Sequence, residues 1–213
     1  LRQNGAYGVY TLDMESGQYA MLYSIPYDRT SPRFRDLNGC GISPVDDIVY
    51  CVMKFSRSES YLVRLDAEKV EFVARTPTWS WKATFAEDGT FYVVFEVEGE
   101  TRLYRVPEPN AMPGFANRTA EGMGDLSTMK HTMVMVGYTG ADIAVMSTDL
   151  EGVGTTEYLV SMANGKIIVC HADGMPRRWE LSPTANSQKL PVGTVNAAWH
   201  YRGRFFFGSN AGG

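Results

Sequence analysis

Short runs of β-branched and aromatic residues, cut by Gly, Asp, Asn and Pro, recur from one end of this chain to the other. Runs of that kind, so bounded, predict β-strands. Helical periodicity is scarce: the stretches 119–129 and 182–190 are interrupted by Gly, Pro or polar residues and allow a turn or two at most. The chain therefore reads as all-β.

The strands recur in a loose repeat of roughly 45–60 residues, within the range of propeller blades with elaborated loops. In the first full copy, strand a covers 38–42, a turn at Pro44 to Asp47 leads to strand b over 48–54, strand c covers 60–65 and strand d 70–75. The second copy has 81–85, a Glu87-Asp88-Gly89 turn, 90–97, 101–106 and a poorly defined fourth strand after Ala116. The third has 142–147, 157–162, an Asn164-Gly165 hairpin signal, 166–171 and 178–181. A fourth copy begins with 196–201 and 204–208, while 8–13 and 18–24 read as strands c and d alone.

These units predict a β-propeller of four-stranded antiparallel blades, or an incomplete portion of one, as a single domain over 1–213. Its parts are strands c and d at 7–26, blades at about 36–77, 81–123 and 140–182, and strands a and b at 195–208. Two arrangements stay open. The terminal pairs could build one blade together and close a four-bladed ring, since closure is how radial sheets protect their edges; or the chain could be part of a larger ring. The start at Leu1, without Met or a leader pattern, reads as a processed or trimmed boundary, and the end at Gly213 reads as a turn awaiting a further strand.

The hairpins Ile42-Ser43-Pro44-Val45-Asp46-Asp47-Ile48-Val49-Tyr50 and Phe85-Ala86-Glu87-Asp88-Gly89-Thr90-Phe91-Tyr92 resemble those of propellers with NHL-like or quinoprotein-like blades. The segment from Ala197 to Phe207 also looks like repeats in large secreted surface proteins of unicellular eukaryotes. The resemblance implies a platform that binds ligands or proteins more often than an enzyme. The WD dipeptide, the Kelch double glycine and the FG-GAP calcium loop are absent.

Charge and composition narrow the function classes. The 213 residues carry a formal net charge of −4, with Lys and Arg scattered, so nothing marks a nucleic-acid footprint. No apolar run approaches the roughly 20 residues of a transmembrane helix. Cys40 and Cys51 lie symmetrically about a two-residue turn at Val45-Asp46, a register that places them opposite each other across strands a and b. A disulfide is then open to them, with an oxidising compartment, against the alternative of two small buried thiols. Cys170 reads as a buried structural thiol or as a link to a segment elsewhere. Asn117-Arg118-Thr119 is an N-glycosylation sequon in a Pro- and Gly-rich loop.

No sequence motif supplies a nucleophile elbow, a phosphate loop or a dinucleotide fingerprint. His131, His171 and His200 stand apart without metal-ligand spacing, so no metal or cofactor is expected. Asp46-Asp47 and Glu87-Asp88 fall in turns, where Asp bonds the backbone, although a propeller channel could also hold calcium through such groups. Trp79, Trp81, Trp179 and Trp199 could stack on a glycan or anchor a partner, or pack between blades.

The resulting expectation is a non-catalytic, secreted or cell-surface glycoprotein. It would serve as an interaction or structural module among other subunits of an extracellular assembly. The alternatives are a propeller enzyme, such as a calcium-dependent hydrolase or lyase, and a carbohydrate-binding propeller.

Overall fold

The computed structural model describes residues 2–3, 6–13, 15–26, 34–133, 142–149, 152, 154–163, 166–173, 178–181, 195–201 and 204–209. Among these the regular structure is all β, with two single 3-10 turns at Pro109–Ala111 and Leu126–Thr128. The second of those turns is the one helical element in 119–129; the stretch 182–190 lies outside the described residues.

Among the described residues, five small sheets follow one another along the chain. The first contains β1 (Arg2–Gln3), β2 (Ala6–Leu12) and β3 (Tyr19–Ser24). The second is an antiparallel meander of β4 (Asp36–Ile42), β5 (Val49–Lys54), β6 (Ser60–Leu65) and β7 (Val70–Arg75). The third joins β8 (Lys82–Phe85), β9 (Phe91–Val97) and β10 (Glu100–Val106). A short β11 (Gly124–Asp125) runs parallel to β7 on the edge of the second sheet, and β12 (His131–Met133) completes the third beside β10. The fourth is β13 (Ala144–Thr148), β14 (Thr156–Ala163), β15 (Lys166–His171) and β16 (Arg178–Leu181), and the fifth pairs β17 (Val195–Tyr201) with β18 (Arg204–Ser209).

Sheets two to four show why their central strands read as continuous apolar runs. A strand exposes alternate side chains to opposite faces, so burying both faces calls for apolar residues at every position. In β5, Tyr50 and Val52 enter the core shared with the third sheet, whereas Cys51 and Met53 enter the core on the opposite side. In β9, Phe91, Val93 and Phe95 face the second sheet while Tyr92 and Val94 face the fourth. In β14, Leu159 faces the third sheet, and Tyr158 and Val160 face Phe205 and Phe207 of the fifth. The sheets thus stack face to face in chain order, and their first strands adjoin: β4 meets β8, β8 meets β13, and β13 meets β17. The first sheet lies against the free face of the second through Val9, Tyr23 and Ile25. Among the described residues the succession is open, not a closed ring.

Three sequence expectations need correction. The β4–β5 connection is not a two-residue turn: Ser43 and Ile48 close it with an N–H to carbonyl bond of 2.9 Å, and Asp47 sits at φ 57°. The fourth strand of the third sheet is β12, well beyond Ala116, so this unit extends past the expected limit at 123. The first sheet has a third strand, β1, where only a pair was expected. The intervening segment folds back over the edge of the second sheet. Phe115 and Phe72 exchange two backbone bonds, of 2.8 and 2.9 Å, and Arg64 Nη1 donates to the carbonyls of Asn110 and Met112 at 3.3 and 3.2 Å. Covering an edge in this way shields its unpaired backbone groups from another chain. The fit is close at Gly114, where a Cβ would stand 2.5 Å from the Arg64 guanidinium.

Candidate functional site

The β4–β5 hairpin holds the one disulfide among the described residues, Cys40–Cys51, with Cα atoms 4.1 Å apart. Ile42 pairs with Val49 and Gly41 with Tyr50, the register that sets Cys40 against Cys51, so the longer turn leaves the predicted pairing intact. The ladder then shifts by one residue between Asn38 and Gly41. Gly39 takes up the shift in the left-handed region at φ 56°, where a side chain is disfavoured and a Cβ would lie 3.2 Å from the Ser80 carbonyl. The bridge spans a sequence separation of 11. Loop-closure entropy for a ring of that size assigns it about 2–3 kcal/mol. The Cys40→Ser/Cys51→Ser protein should show that loss in urea unfolding, and thiol reductant should lower the midpoint of the wild type but not of the variant.

Asn117 is exposed on the covering segment. Its Oδ1 accepts from both the N–H and the hydroxyl of Thr119, each at 3.0 Å. Arg118 pins the loop from below, donating to Glu59 at 2.7 Å and lying 4.4 Å from the Phe55 ring centroid.

The four tryptophans do not converge on one place. Trp199 stacks in parallel on Phe206 across β17 and β18, with ring centroids 5.3 Å apart. Trp179 lies in β16 opposite Val169, and its side chain is outside the described residues. Trp79 and Trp81 do meet, edge to face at 5.0 Å, in the connection between β7 and β8. Trp79 packs against the core between sheets two and three, which is the inter-sheet role foreseen as the alternative to binding, while Trp81 remains 40% exposed.

Around this pair is a cleft of about 180 Å³ lined by Lys54, Arg57, Ser80, Lys82, Val94 and Glu96 besides the two indoles. Lys54 Nζ sits 4.2 Å from the Trp79 ring centroid and Lys82 Nζ 5.8 Å from that of Trp81. Ser80 ties the rim together: its Oγ accepts from the Lys82 N–H at 3.0 Å and donates to the Val94 carbonyl.

Lys82 also connects the cleft to the inner strands. The side chain is buried, 3.9 Å from Glu96 Oε1, and burial holds its pKa below the ordinary lysine value. Its field reaches Asp142, whose carboxyl is withdrawn into the protein although the residue keeps some solvent contact. Burial raises the Asp142 pKa to about 7, against hydrogen bonds from the backbone N–H groups of Ile143, Ala198 and Ala83 and the pull of Lys82. The chain matches no protein-family model, no curated protein and no solved structure.

Several of the other titratable groups pair locally. All three histidines lie against the aromatic residue directly across the strand: His131 on Tyr104, His171 on Tyr158 and His200 on Phe205, with ring centroids 5.1, 4.8 and 4.9 Å apart. Asp46 and Asp88 bond the backbone of their own turns, accepting from Ile48 at 3.2 Å and Thr90 at 2.8 Å. Among the described residues no group of three or more His, Cys, Asp or Glu could hold a metal ion. Cys170 is buried between the third and fourth sheets, its Sγ 4.0 Å from the Leu159 carbonyl.

A recurrent polar pair escaped the sequence reading. Tyr50 lies opposite Arg64, Tyr92 opposite Arg105, and Tyr158 opposite His171, one pair in each of sheets two to four. The Tyr50 hydroxyl donates to Asp46 at 2.9 Å, and burial, then that carboxylate, pushes its pKa up to about 12. The Tyr92 hydroxyl donates to Glu157 of the next sheet, with its pKa also raised, burial first. Nearly constant spacing between each Tyr and its basic partner is the signal that could have revealed them.

Proposed function

We propose that this chain is a non-catalytic extracellular interaction or structural module within a larger assembly, its sheets being blades of a β-propeller or an open portion of one. The observation that carries the architecture is the face-to-face succession of small antiparallel sheets with adjoining first strands, which is what radial packing about an axis requires. A scaffold of this kind is rigid in its sheets and free to vary in its loops, which suits recognition.

The extracellular part rests on the Cys40–Cys51 bridge, since such bonds persist in oxidising compartments, and on the exposed sequon at Asn117. No helix among the described residues is long and apolar enough to cross a membrane. The non-catalytic part rests on where the charged side chains are spent: Arg64 on Glu71 at 2.7 Å, Tyr50 on Asp46, Tyr92 on Glu157, and Arg118 on Glu59. These are cross-strand and loop-anchoring pairs.

Peptide mapping of natively purified protein under non-reducing conditions tests the compartment. The expected result is a peptide linked through Cys40 and Cys51 and a glycan mass on Asn117. Two reduced cysteines together with an unmodified Asn117 would remove the extracellular assignment.

A further inference from the structure

The Trp79–Trp81 cleft has a lining that selects a chemical class of ligand, and we infer that it binds the ring of an acidic sugar, a hexuronate, by its carboxylate and its apolar face. The inference names a ligand for the interaction-module reading and rests on it.

Charge comes first. Three cations, Lys54, Arg57 and Lys82, line the cleft against the single carboxylate of Glu96. Glu96 is already engaged, accepting from the Thr101 hydroxyl and standing 3.9 Å from Lys82. Arg57 is exposed and forms no ion pair among the described residues, and Lys54 is placed over the Trp79 ring, not beside an acid. A neutral ligand would leave this excess unused, and a cationic one would be repelled.

Shape and surface decide between acidic ligands. At about 180 Å³ the cleft falls below the roughly 300–1,000 Å³ of pockets for drug-sized molecules, so it takes one ring. Lys54 covers one indole, while Trp81 offers an exposed one on which the apolar face of a pyranose can stack. A peptide C-terminus would instead call for a nest of free backbone N–H groups. Here the Lys82 N–H is consumed by Ser80 and the Ser80 hydroxyl by Val94, which disfavours that ligand.

Calorimetric titration of the whole chain with methyl β-glucuronide, methyl β-glucoside and N-acetylglycylglycine separates the readings. Saturable glucuronide binding is expected, about tenfold or more tighter than glucoside and weakening with added salt, because exposed charges are screened. Trp81→Ala and Arg57→Gln should each weaken it about tenfold, the scale of losing one stacked or charge-assisted contact. Trp81→Tyr should restore most of the affinity. Arg57 is exposed, so its variant keeps the test valid even if Trp81→Ala unfolds. No saturable glucuronide binding, equal affinity for glucoside, or tighter binding of the peptide would overturn the inference. Peptide mapping of Cys40, Cys51 and Asn117 reads the module assignment separately, so the two can fail apart.

Discussion

Replacing Phe91 by alanine should cost about 3–5 kcal/mol of folding stability, the largest loss expected from any single side chain in the stack. Phe91 is fully buried between the second and third sheets, with its ring centroid 4.9 Å from Phe85 and 6.4 Å from Tyr50. Truncation removes apolar area and leaves a cavity bounded by two sheets paired to their own strands, neither of which collapses easily into the gap. Because both sheets share that core, amide hydrogen exchange should accelerate in β5 and β9 together. Leu22, 62% exposed on β3, supplies the control, and its alanine variant should stay within about 0.5 kcal/mol of wild type. Protection lost in β9 alone would mean that the two sheets do not form one cooperative unit.

Asp142 gives the second large effect, through pH. The folded protein keeps the proton on this carboxyl up to about pH 7, whereas a chain with the ordinary value of 3.8 releases it far earlier. Between those values the folded state binds more protons than the unfolded state, so stability falls as pH rises across the window and levels off above it. The ceiling on this loss is on the order of 4 kcal/mol, at about 1.4 kcal/mol for each unit of pKa difference.

Among the described residues, the groups facing Asp142 are the N–H donors of Ile143, Ala198 and Ala83 and the Lys82 ammonium, itself beside Glu96. Lys82 acts in another window and with the opposite sign. Its pKa is lowered by burial, so the unfolded chain binds the extra proton at alkaline pH and stability rises there as pH increases. Asp142→Asn removes the ionisation but keeps one acceptor oxygen where the wild type uses two, Oδ1 for the Ile143 N–H and Oδ2 for the Ala198 N–H, so the variant loses a hydrogen bond at every pH. The reading is therefore the pH dependence and not the absolute stability: urea midpoints at pH 4.5 and 7.5 should differ less in the variant than in wild type. An equal pH dependence in both proteins would place the carboxyl in water.

Glu71, Asp13 and Asp66 are shifted downward, Glu71 by the Arg64 hydrogen bond and the two aspartates by backbone N–H donors. Their contributions are present above the ordinary carboxylate pKa and fade below it. They act at the acid end of the Asp142 window and are common to both proteins, so comparing wild type with the variant isolates that residue.

The two predictions lie on different levels of legibility. Phe91 stands in an apolar run that marks a strand, and its fully buried position follows from the absence of polar residues at alternate sites. Asp142 gives no such sign. It reads as the start of a strand, and only the packing of β8 and β17 against β13 withdraws its carboxyl and brings Lys82 near.

Strand positions, the meander order and the disulfide register belong to the sequence itself, because each depends on neighbours along the chain. Ser60–Leu65, Val70–Arg75, Lys166–His171 and Arg178–Leu181 have the limits that their residues imply. Cys40 and Cys51 keep their pairing although the turn between them is longer than expected, because the loop lengthens equally on both sides of Val45-Asp46, while the register shift at Gly39 falls beyond the pair. The covering segment, the Trp79–Trp81 cleft and the Lys82–Asp142 pair were decided only by tertiary structure. In each, the partners come from different sheets or from a loop crossing an edge. Backbone pairing and side-chain alternation fix what one strand does, whereas distance between sheets follows from how whole faces pack, and no local pattern of residues records it.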